Sequence, residues 1–283
     1  MIVDVHTHAW NCAEHLDPGF VGGLQSARPG KEIAPSVTIE AYLNSMEPCD
    51  RAICLAIRGR QTGIDVPNDH IASFVARAPR KLIGFMSLDP NEPGWMEDFD
   101  HARQQLKLKG VKLGPIYAGF DPTEALMDPL YSACVKHDLP ILFHMGTSFV
   151  RFGPLEWSRP ILIDAVARRH PDLKMVVAHL GHPWEGETIA VIRKHPHVYA
   201  DVSALHYRPW QFYHSMMLAQ EYGVLHKLLF GSDYPFTTPA STMDGLRGIN
   251  RFCEGTHLPR VSGQEIEAII QRDALQLLWG SPP

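Results

Sequence analysis

The segment Ile2-Val3-Asp4-Val5-His6-Thr7-His8 is the first of eight short apolar runs that recur along the whole chain. Each run is rich in β-branched residues and too short for a helix, and helix-like segments lie between consecutive runs. Consecutive runs end 24 to 35 residues apart, except for a first step of 50 residues. The other runs are Ala52–Arg58, Leu82–Leu88, Gly110–Pro115, Pro140–His144, Lys174–His179, Val198–Ser203 and Lys227–Asp233.

This alternation predicts an α/β fold. Apolar runs that are buried on both faces are typical of parallel strands, and eight strand–helix units indicate a single (β/α)8 barrel, or TIM barrel. A doubly wound open sheet is the alternative. Helix signals support the connections: Ser262-Gly263-Gln264-Glu265 forms a capping-box pattern before a helical apolar spacing. No linker divides the chain, so we expect one domain over residues 1–283.

The 50-residue first step contains a Gly- and Pro-rich stretch from Pro18 to Pro35. We expect a long loop here, over about residues 15–36, because loops of this length in a compact fold are usually lids or inserts. In a barrel this loop leaves the C-terminal end of the first strand, which is the face where active sites lie.

Composition excludes several classes of function. The chain has 283 residues, with 26 Lys and Arg against 31 Asp and Glu, so it is mildly acidic and lacks a basic stripe for nucleic acid. No apolar run approaches the roughly 18 residues of a membrane helix. The five cysteines contain no Cys-x-x-Cys pair, and the N-terminus does not resemble a signal peptide. We expect a cytoplasmic protein with a small-molecule substrate and no nucleic-acid or membrane partner; a homodimer is one option.

Histidine is frequent, with 16 residues, and its positions point to a metal. His6 and His8 are two residues apart at the end of the first run, so they project to the same side of a strand. The fifth and sixth runs end in His144 and His179, and the eighth ends in Asp233. A barrel gathers these ends into one circle. Imidazole and carboxylate ligands suit Zn²⁺ and also Mn²⁺ or Fe²⁺.

Together with these residues, longer segments resemble a known family. They are Val3–His8, Phe143-His144, Ala178–Pro183, Val198–Ser203 and Leu229–Pro235. The sequence resembles the amidohydrolase superfamily over nearly all of its length, and within it the amidohydrolase-2 group that includes aminocarboxymuconate semialdehyde decarboxylase.

The resemblance implies roles for these residues. It implies one divalent metal, first of all Zn²⁺, held by His6, His8, His144 and Asp233, with His179 beside the metal-bound water. Asp233 would take or return a proton, and His179 would hold the water or polarise a substrate oxygen. Superfamily members with two metals carry a carboxylated lysine on the fourth strand, where this chain has Lys112. Carboxylation would bring a second ion; otherwise Lys112 pairs with a carboxylate or contacts the substrate.

Other polar residues near the strand ends are candidates for substrate binding. Arg58 and Arg151 could each bind a substrate carboxylate through two hydrogen bonds, although both could equally be surface residues. His182, Trp184 and His206 are candidates for the pocket wall.

Three functions compete. The first is a metal-dependent hydrolase that attacks an amide, lactone or ester of a small carboxylate-bearing substrate. The second is a non-oxidative decarboxylase or hydratase, a lyase that uses the same site. The third, a non-catalytic metal-binding barrel, leaves Asp233 and His179 without a role.

Overall fold

The computed structural model describes residues 1–27, 36–280 and 283. Ten strands are present in these residues, and eight of them form a parallel sheet in chain order. The remaining two, β3 and β4, form a separate antiparallel hairpin. The strands are β1 (Val3–His8), β2 (Arg51–Leu55), β3 (Ile57–Gly59), β4 (Ile64–Val66), β5 (Leu82–Ser87), β6 (Val111–Leu113), β7 (Ile141–Phe143), β8 (Met175–Val177), β9 (Val198–Asp201) and β10 (Leu228–Leu229).

Hydrogen bonds between β1 and the segment after β10 bring the two edges of the sheet together. The Val5 amide donates to the Phe230 carbonyl over 3.0 Å, and the Asp233 amide donates to the His6 carbonyl over 2.8 Å. The eight strands therefore form a nearly closed TIM barrel, which confirms the predicted fold class.

Helices alternate with the barrel strands along the described residues. Helix α13 packs its buried residues Leu275 and Leu278 among the inward side chains of the strands, so it plugs the barrel at its N-terminal end. The helices are α1 (Cys12–His15), α2 (Pro18–Ala27), α3 (Ile39–Ser45), α4 (Asn68–Val75), α5 (Trp95–Gln104), α6 (Pro115–Ala118), α7 (Asp128–Lys136), α8 (Leu162–Arg169), α9 (Glu185–Lys194), α10 (Pro209–Glu221), α11 (Pro239–Arg247), α12 (Gly263–Ile270) and α13 (Ala274–Trp279).

A bulge in β1 changes which side chains face the barrel interior. Val3 and Val5 belong to the interior cluster, and strict alternation would then turn Thr7 inward. The register against β2 shifts by one residue between Asp4 and Thr7. Thr7 instead packs away from the interior, where its hydroxyl donates to the Ile53 carbonyl over 2.6 Å. The extra residue therefore re-aims the end of the strand and turns His6 and His8 into the barrel.

Two expectations about the connections need correction. The run Ala52–Arg58 is not one strand: β2 ends at Leu55, and Ile57–Gly59 turns away to form the hairpin with β4, where Ile57 lies opposite Val66. The expected loop over residues 15–36 is helical over Pro18–Ala27, because Phe20 and Leu24, one helical turn apart, are both buried. Residues 28–35 of that loop lie outside the described residues.

None of the helices in the described part of the chain combines the length and the apolar character that a bilayer crossing requires.

Candidate active site

A cavity of about 300 Å³ opens at the C-terminal ends of the barrel strands. Its floor is polar and buried, and its upper wall is mostly apolar and aromatic. The floor contains His6, His8, Lys112, His144, His179 and Asp233. The wall includes Trp10, Phe20, Leu24, Ile57, Ile64, Tyr117, Phe149 and Phe236. The predicted strand-end residues therefore converge in one place.

The end of β1 places two imidazoles beside one carboxylate. His8 Nε2 lies 3.3 Å and His6 Nε2 lies 3.5 Å from Oδ1 of Asp233. All three side chains are buried, and burial raises the pKa of Asp233 above its ordinary value, partly opposed by its contact with His8. Burial also lowers the pKa of His6 far below its usual range, so the imidazole is neutral at neutral pH.

Asp201, the last residue of β9, fixes two ring orientations at once. Its Oδ2 accepts from His6 Nδ1 over 2.9 Å. Its Oδ1 accepts from the backbone amides of His179 and Ser203 over 2.9 and 3.0 Å, and from the Ser203 hydroxyl. Since that hydroxyl gives its one proton to Asp201, it can only accept from His179 Nδ1, which lies 2.7 Å away. Both imidazoles are thereby protonated on Nδ1 and keep the Nε2 lone pair.

Two of the floor residues have an uncommon backbone conformation. His179 follows β8 with φ of 55°, and Asp233 follows β10 with φ of 65°. Non-glycine residues rarely adopt this left-handed region, and where they do, the surrounding structure must hold them. Here the backbone amide of each residue is bound, His179 by Asp201 and Asp233 by the His6 carbonyl. The strained turns direct both side chains into the cavity.

The donor set fits a divalent cation. His6, His179 and Asp233 each offer a ligand atom, and these atoms lie within 4.8 Å of one another. Neutral imidazoles and a carboxylate are the ligands that zinc takes in proteins. The side chain of His144 lies beside this group: its ring centroid is 5.2 Å from that of His179, and its Nε2 is 3.3 Å from the Tyr117 hydroxyl.

Lys112 lies at the bottom of the same cavity. It is only 1% exposed, and its Nζ is 3.3 Å from His6 Nε2. Burial lowers its pKa to about 8, against the opposing pull of Asp201 and Asp233. Among the described residues no carboxylate lies within ion-pair distance of Nζ. The amine is therefore more readily deprotonated than a surface lysine.

The predicted substrate-binding residues divide into two groups. His182 lines the cavity, whereas the lining that the described residues define does not include Arg58, Arg151, Trp184 or His206. Arg58 lies in the hairpin and pairs with Asp65 and Glu92, because the second run breaks before it. Arg151 is exposed and stacks on Phe152. The ring of Trp184 is covered by Arg159, and His206 packs against Gly245.

Sequence reasoning missed three contributors to the site. Arg208 lines the cavity; its Nη1 donates to the Ala204 carbonyl over 3.1 Å, and its guanidinium stacks over Tyr207 at 4.5 Å. No carboxylate among the described residues pairs with it. Asp201 and Ser203 were also missed, although an Asp-x-Ser sequence at a strand end is a usable signal. Arg208 follows no strand directly, so nothing in its sequence context separates it from other arginines.

Comparisons with known proteins identify the family of the chain. Residues 3–277 match the family model described as amidohydrolase, of the amidohydrolase-2 type. A search of curated protein sequences gave no match.

Solved structures with low sequence identity share the fold. An uncharacterized TIM-barrel protein from Bordetella bronchiseptica has a TM-score of 0.78 at 20% identity, over 99% of both chains. An amidohydrolase from Burkholderia multivorans with bound zinc has a TM-score of 0.70 at 16% identity, over 98% of this chain and 99% of that one. The 5-carboxyvanillate decarboxylase of Sphingomonas paucimobilis has a TM-score of 0.65 at 13% identity, over 99% and 98%.

Proposed function

Because the chain belongs to the amidohydrolase-2 family, whose members are enzymes, we propose that it is a metal-dependent hydrolase. Its substrate is a small molecule that carries one carboxylate and an amide, lactone or ester bond. One observation carries this proposal. A buried carboxylate, two imidazoles whose Nε2 atoms keep a lone pair, and a guanidinium without a carboxylate partner among the described residues meet in a single cavity.

His6, His8, His144 and Asp233 would hold one divalent cation, and His179, whose ligand atom lies within 4.8 Å of those of His6 and Asp233, would stand beside it. Zn²⁺ is the first choice, since a similar structure carries zinc, and Mn²⁺ and Fe²⁺ also suit these ligands. Such a cation supplies Lewis-acid activation of water and of a substrate oxygen. A second cation would require carboxylation of Lys112.

Asp233 acts as the general base. Its carboxylate is buried in the cavity floor, where it can accept a proton from a water in the cavity. Asp233 takes a proton from the attacking water and returns it to the leaving group. His8 Nε2 lies 3.3 Å from the Asp233 carboxylate, a spacing that two ligands of one cation would have.

His179 positions the water. Its Nδ1 proton is bound by Ser203, so its Nε2 can accept a hydrogen bond but cannot donate one. An acceptor of this kind orients an attacking water better than it polarises a carbonyl oxygen. Of the two roles open to His179, we therefore assign it the first.

Arg208 binds the substrate carboxylate. The contact with the Ala204 carbonyl occupies part of one end of the guanidinium, and Tyr207 covers one face, so the other N–H groups remain for a bidentate contact. The surrounding wall is apolar and aromatic, with Phe20 and Phe149 packed at 5.0 Å. These features favour a flat, mainly apolar monocarboxylate over a substrate with several charges.

A non-oxidative decarboxylase or hydratase is the second candidate. The observation that favours it is the mostly apolar and aromatic cavity wall, which suits an aromatic acid. One similar structure is a decarboxylase.

The experiment compares two substrate panels with purified protein of measured metal content. Lactones, esters and amides of aromatic monocarboxylic acids are followed for acid release, and free aromatic acids for CO₂ release. We expect about one divalent metal per chain and acid release that Asp233→Asn abolishes while the variant still folds. CO₂ release without acid release would favour the lyase. Metal binding without turnover of either panel would contradict both enzymatic proposals and favour a non-catalytic metal-binding barrel.

A further inference from the structure

A second cavity, of about 320 Å³, lies at the opposite end of the barrel from the candidate active site. It is formed by two neighbouring connections, the one from α5 to β6 and the one from α7 to β7, together with α13. We call it the basic bowl; the side chains that define it are Arg103, Lys107, Lys109, His137, Asp138 and Trp279.

Positively charged side chains outnumber negatively charged ones in the basic bowl. Its one side-chain carboxylate among the described residues, Asp138, is already paired with Lys174 at 2.7 Å, and Pro283 also lines the cavity. Arg103 shares Asp100 at 3.1 Å. Lys107 and Lys109 form no ion pair with any described residue and are both exposed. These two unpaired lysines occur in a chain whose net charge is −5, so they are not a by-product of a basic composition.

Helix dipoles explain only part of this charge. Arg103 and His137 lie at the C-terminal ends of α5 and α7, where a cation is favourable in any helix. Lys107 and Lys109 lie three and five residues beyond the end of α5 at Gln104, and the dipole effect falls off within the last turn. Their placement in the cavity therefore needs another reason.

The backbone holds these lysines in a defined position. Lys107 has φ of 58° and Asp138 has φ of 51°. The four other non-glycine residues with left-handed φ among the described residues, His179, Leu180, Ala204 and Asp233, all belong to the end of the barrel that carries the candidate active site. Between the two lysines, Leu108 is 2% exposed, and the Lys109 amide donates to the Gly84 carbonyl over 2.8 Å. Buried packing and a backbone bond thus anchor the connection and leave both ammonium groups on the cavity side.

We propose that the basic bowl binds a small phosphate-bearing anion of the diphosphate type. Three permanent cations, Arg103, Lys107 and Lys109, match the two or three negative charges of such a group, and guanidinium and ammonium groups are the usual phosphate ligands of proteins. The indole of Trp279 lines the same cavity and offers a surface for an aromatic group attached to the phosphates. This site is separate from the proposed hydrolase site, so it stands whether or not that function is correct.

The test measures pyrophosphate binding to the full chain by isothermal titration calorimetry, with sulfate at the same ionic strength as reference. The variant Lys107→Asn, Lys109→Gln removes two charges, and Asn tolerates the left-handed backbone at position 107 better than Lys does. The matched control, Arg77→Gln, Arg80→Gln, removes two exposed charges that do not line the bowl.

We expect pyrophosphate to bind at least tenfold more tightly than sulfate. The lysine variant should lose at least tenfold in affinity, and the control should match wild type. ADP, tested in the same way, should bind more tightly than pyrophosphate if Trp279 contributes, and Trp279→Leu should remove that gain. Equal binding of sulfate and pyrophosphate, or an equal loss in the lysine variant and the control, would overturn the proposal.

Discussion

Replacing Asp201 by Asn tests whether one carboxylate sets the metal-binding form of His6. The Oδ1 side of Asp201 receives three donors, from the His179 amide, the Ser203 amide and the Ser203 hydroxyl. The amide oxygen of Asn must stay on that side, so its NH₂ group faces His6 Nδ1, where Oδ2 stands in the native protein at 2.9 Å. Two donors then oppose each other, and His6 relieves this by moving its proton to Nε2.

The magnitude follows from the lost lone pair. With Nε2 protonated, His6 has no lone pair there for a cation. To ligate one, it must move the proton back to Nδ1, where that proton faces the NH₂ group of Asn. Loss of such a supporting contact typically lowers metal affinity by about 10- to 100-fold, which corresponds to about 1.4 to 2.7 kcal/mol. We expect Asp201→Asn to fold, to bind Zn²⁺ within this range of weakening, and to show the Nε2-protonated form of His6.

The assay is a competitive zinc titration of metal-free protein with a chromophoric chelator, combined with nitrogen NMR of the imidazoles. Asp4→Asn is the matched control, because Asp4 is also fully buried at the same end of the barrel, but its Oδ1 accepts from the backbone amides of His6 and Ser232 and not from an imidazole. An Asn oxygen can replace it there, so zinc affinity should stay within about threefold of wild type. Unchanged zinc affinity in Asp201→Asn, with His6 still protonated on Nδ1, would refute the reasoning.

Three further predictions concern the substrate anchor, a surface ion cluster and the helix over the cavity. Arg208→Gln should raise KM by about 10- to 100-fold with little change in kcat, since a hydrogen bond to a charged group contributes about 1.5 to 3 kcal/mol. As the control, Arg151→Gln should leave steady-state kinetics unchanged. Contacts with Lys194, His195 and Arg168 lower the pKa of Asp164 to about 2, so its stabilising contribution is complete above pH 3.8 and disappears as the pH falls to about 2. Urea unfolding should therefore show Asp164→Asn less stable than wild type by about 1 kcal/mol at pH 7, after screening, with the difference vanishing near pH 2. Gly22→Ala should stabilise the protein by about 0.5 to 1 kcal/mol in thermal unfolding, because Ala favours the helix α2 and open space surrounds the added methyl group. Gly23→Ala should show no gain, because its methyl group would lie 3.1 Å from the Phe149 ring.

Much of the fold and of the cavity floor could be predicted because both depend on local patterns. A run of apolar residues predicts a strand, and a polar residue at its end, such as His144 or His179, predicts a place on the floor. Arg58 shows where this reasoning stops. The apolar pattern continues through Ile57 after the barrel strand has ended, and only pairing with β4, which is a tertiary contact, separates the two strands.

The remaining gaps have the same origin. Arg208 and Arg151 both follow barrel strands at some distance and have equivalent sequence contexts, but one faces the cavity and the other faces solvent. The path of each loop determines whether its arginine faces the cavity or solvent, and the spacing of apolar residues does not predict that path. The sequence could have marked Asp201 as a strand-end residue, but its role depends on contacts with His6 and His179, 195 and 22 residues away, which no local pattern shows.

The bulge in β1 explains how one strand serves both the core and the site. If side chains alternated strictly between the two faces of β1, Val3, Val5 and Thr7 would all face the barrel interior. His6 and His8 would then face the surrounding helices. The single extra residue between Asp4 and Thr7 removes this conflict: the first half of β1 packs against α13 at one end of the barrel, and the second half supplies two imidazoles at the other. In Val3-Asp4-Val5-His6-Thr7-His8, the odd-numbered residues Val3 and Val5 therefore face the barrel interior before the bulge, and the even-numbered residues His6 and His8 face it after the bulge. Without the bulge, one strand could not supply both the core and the cavity floor.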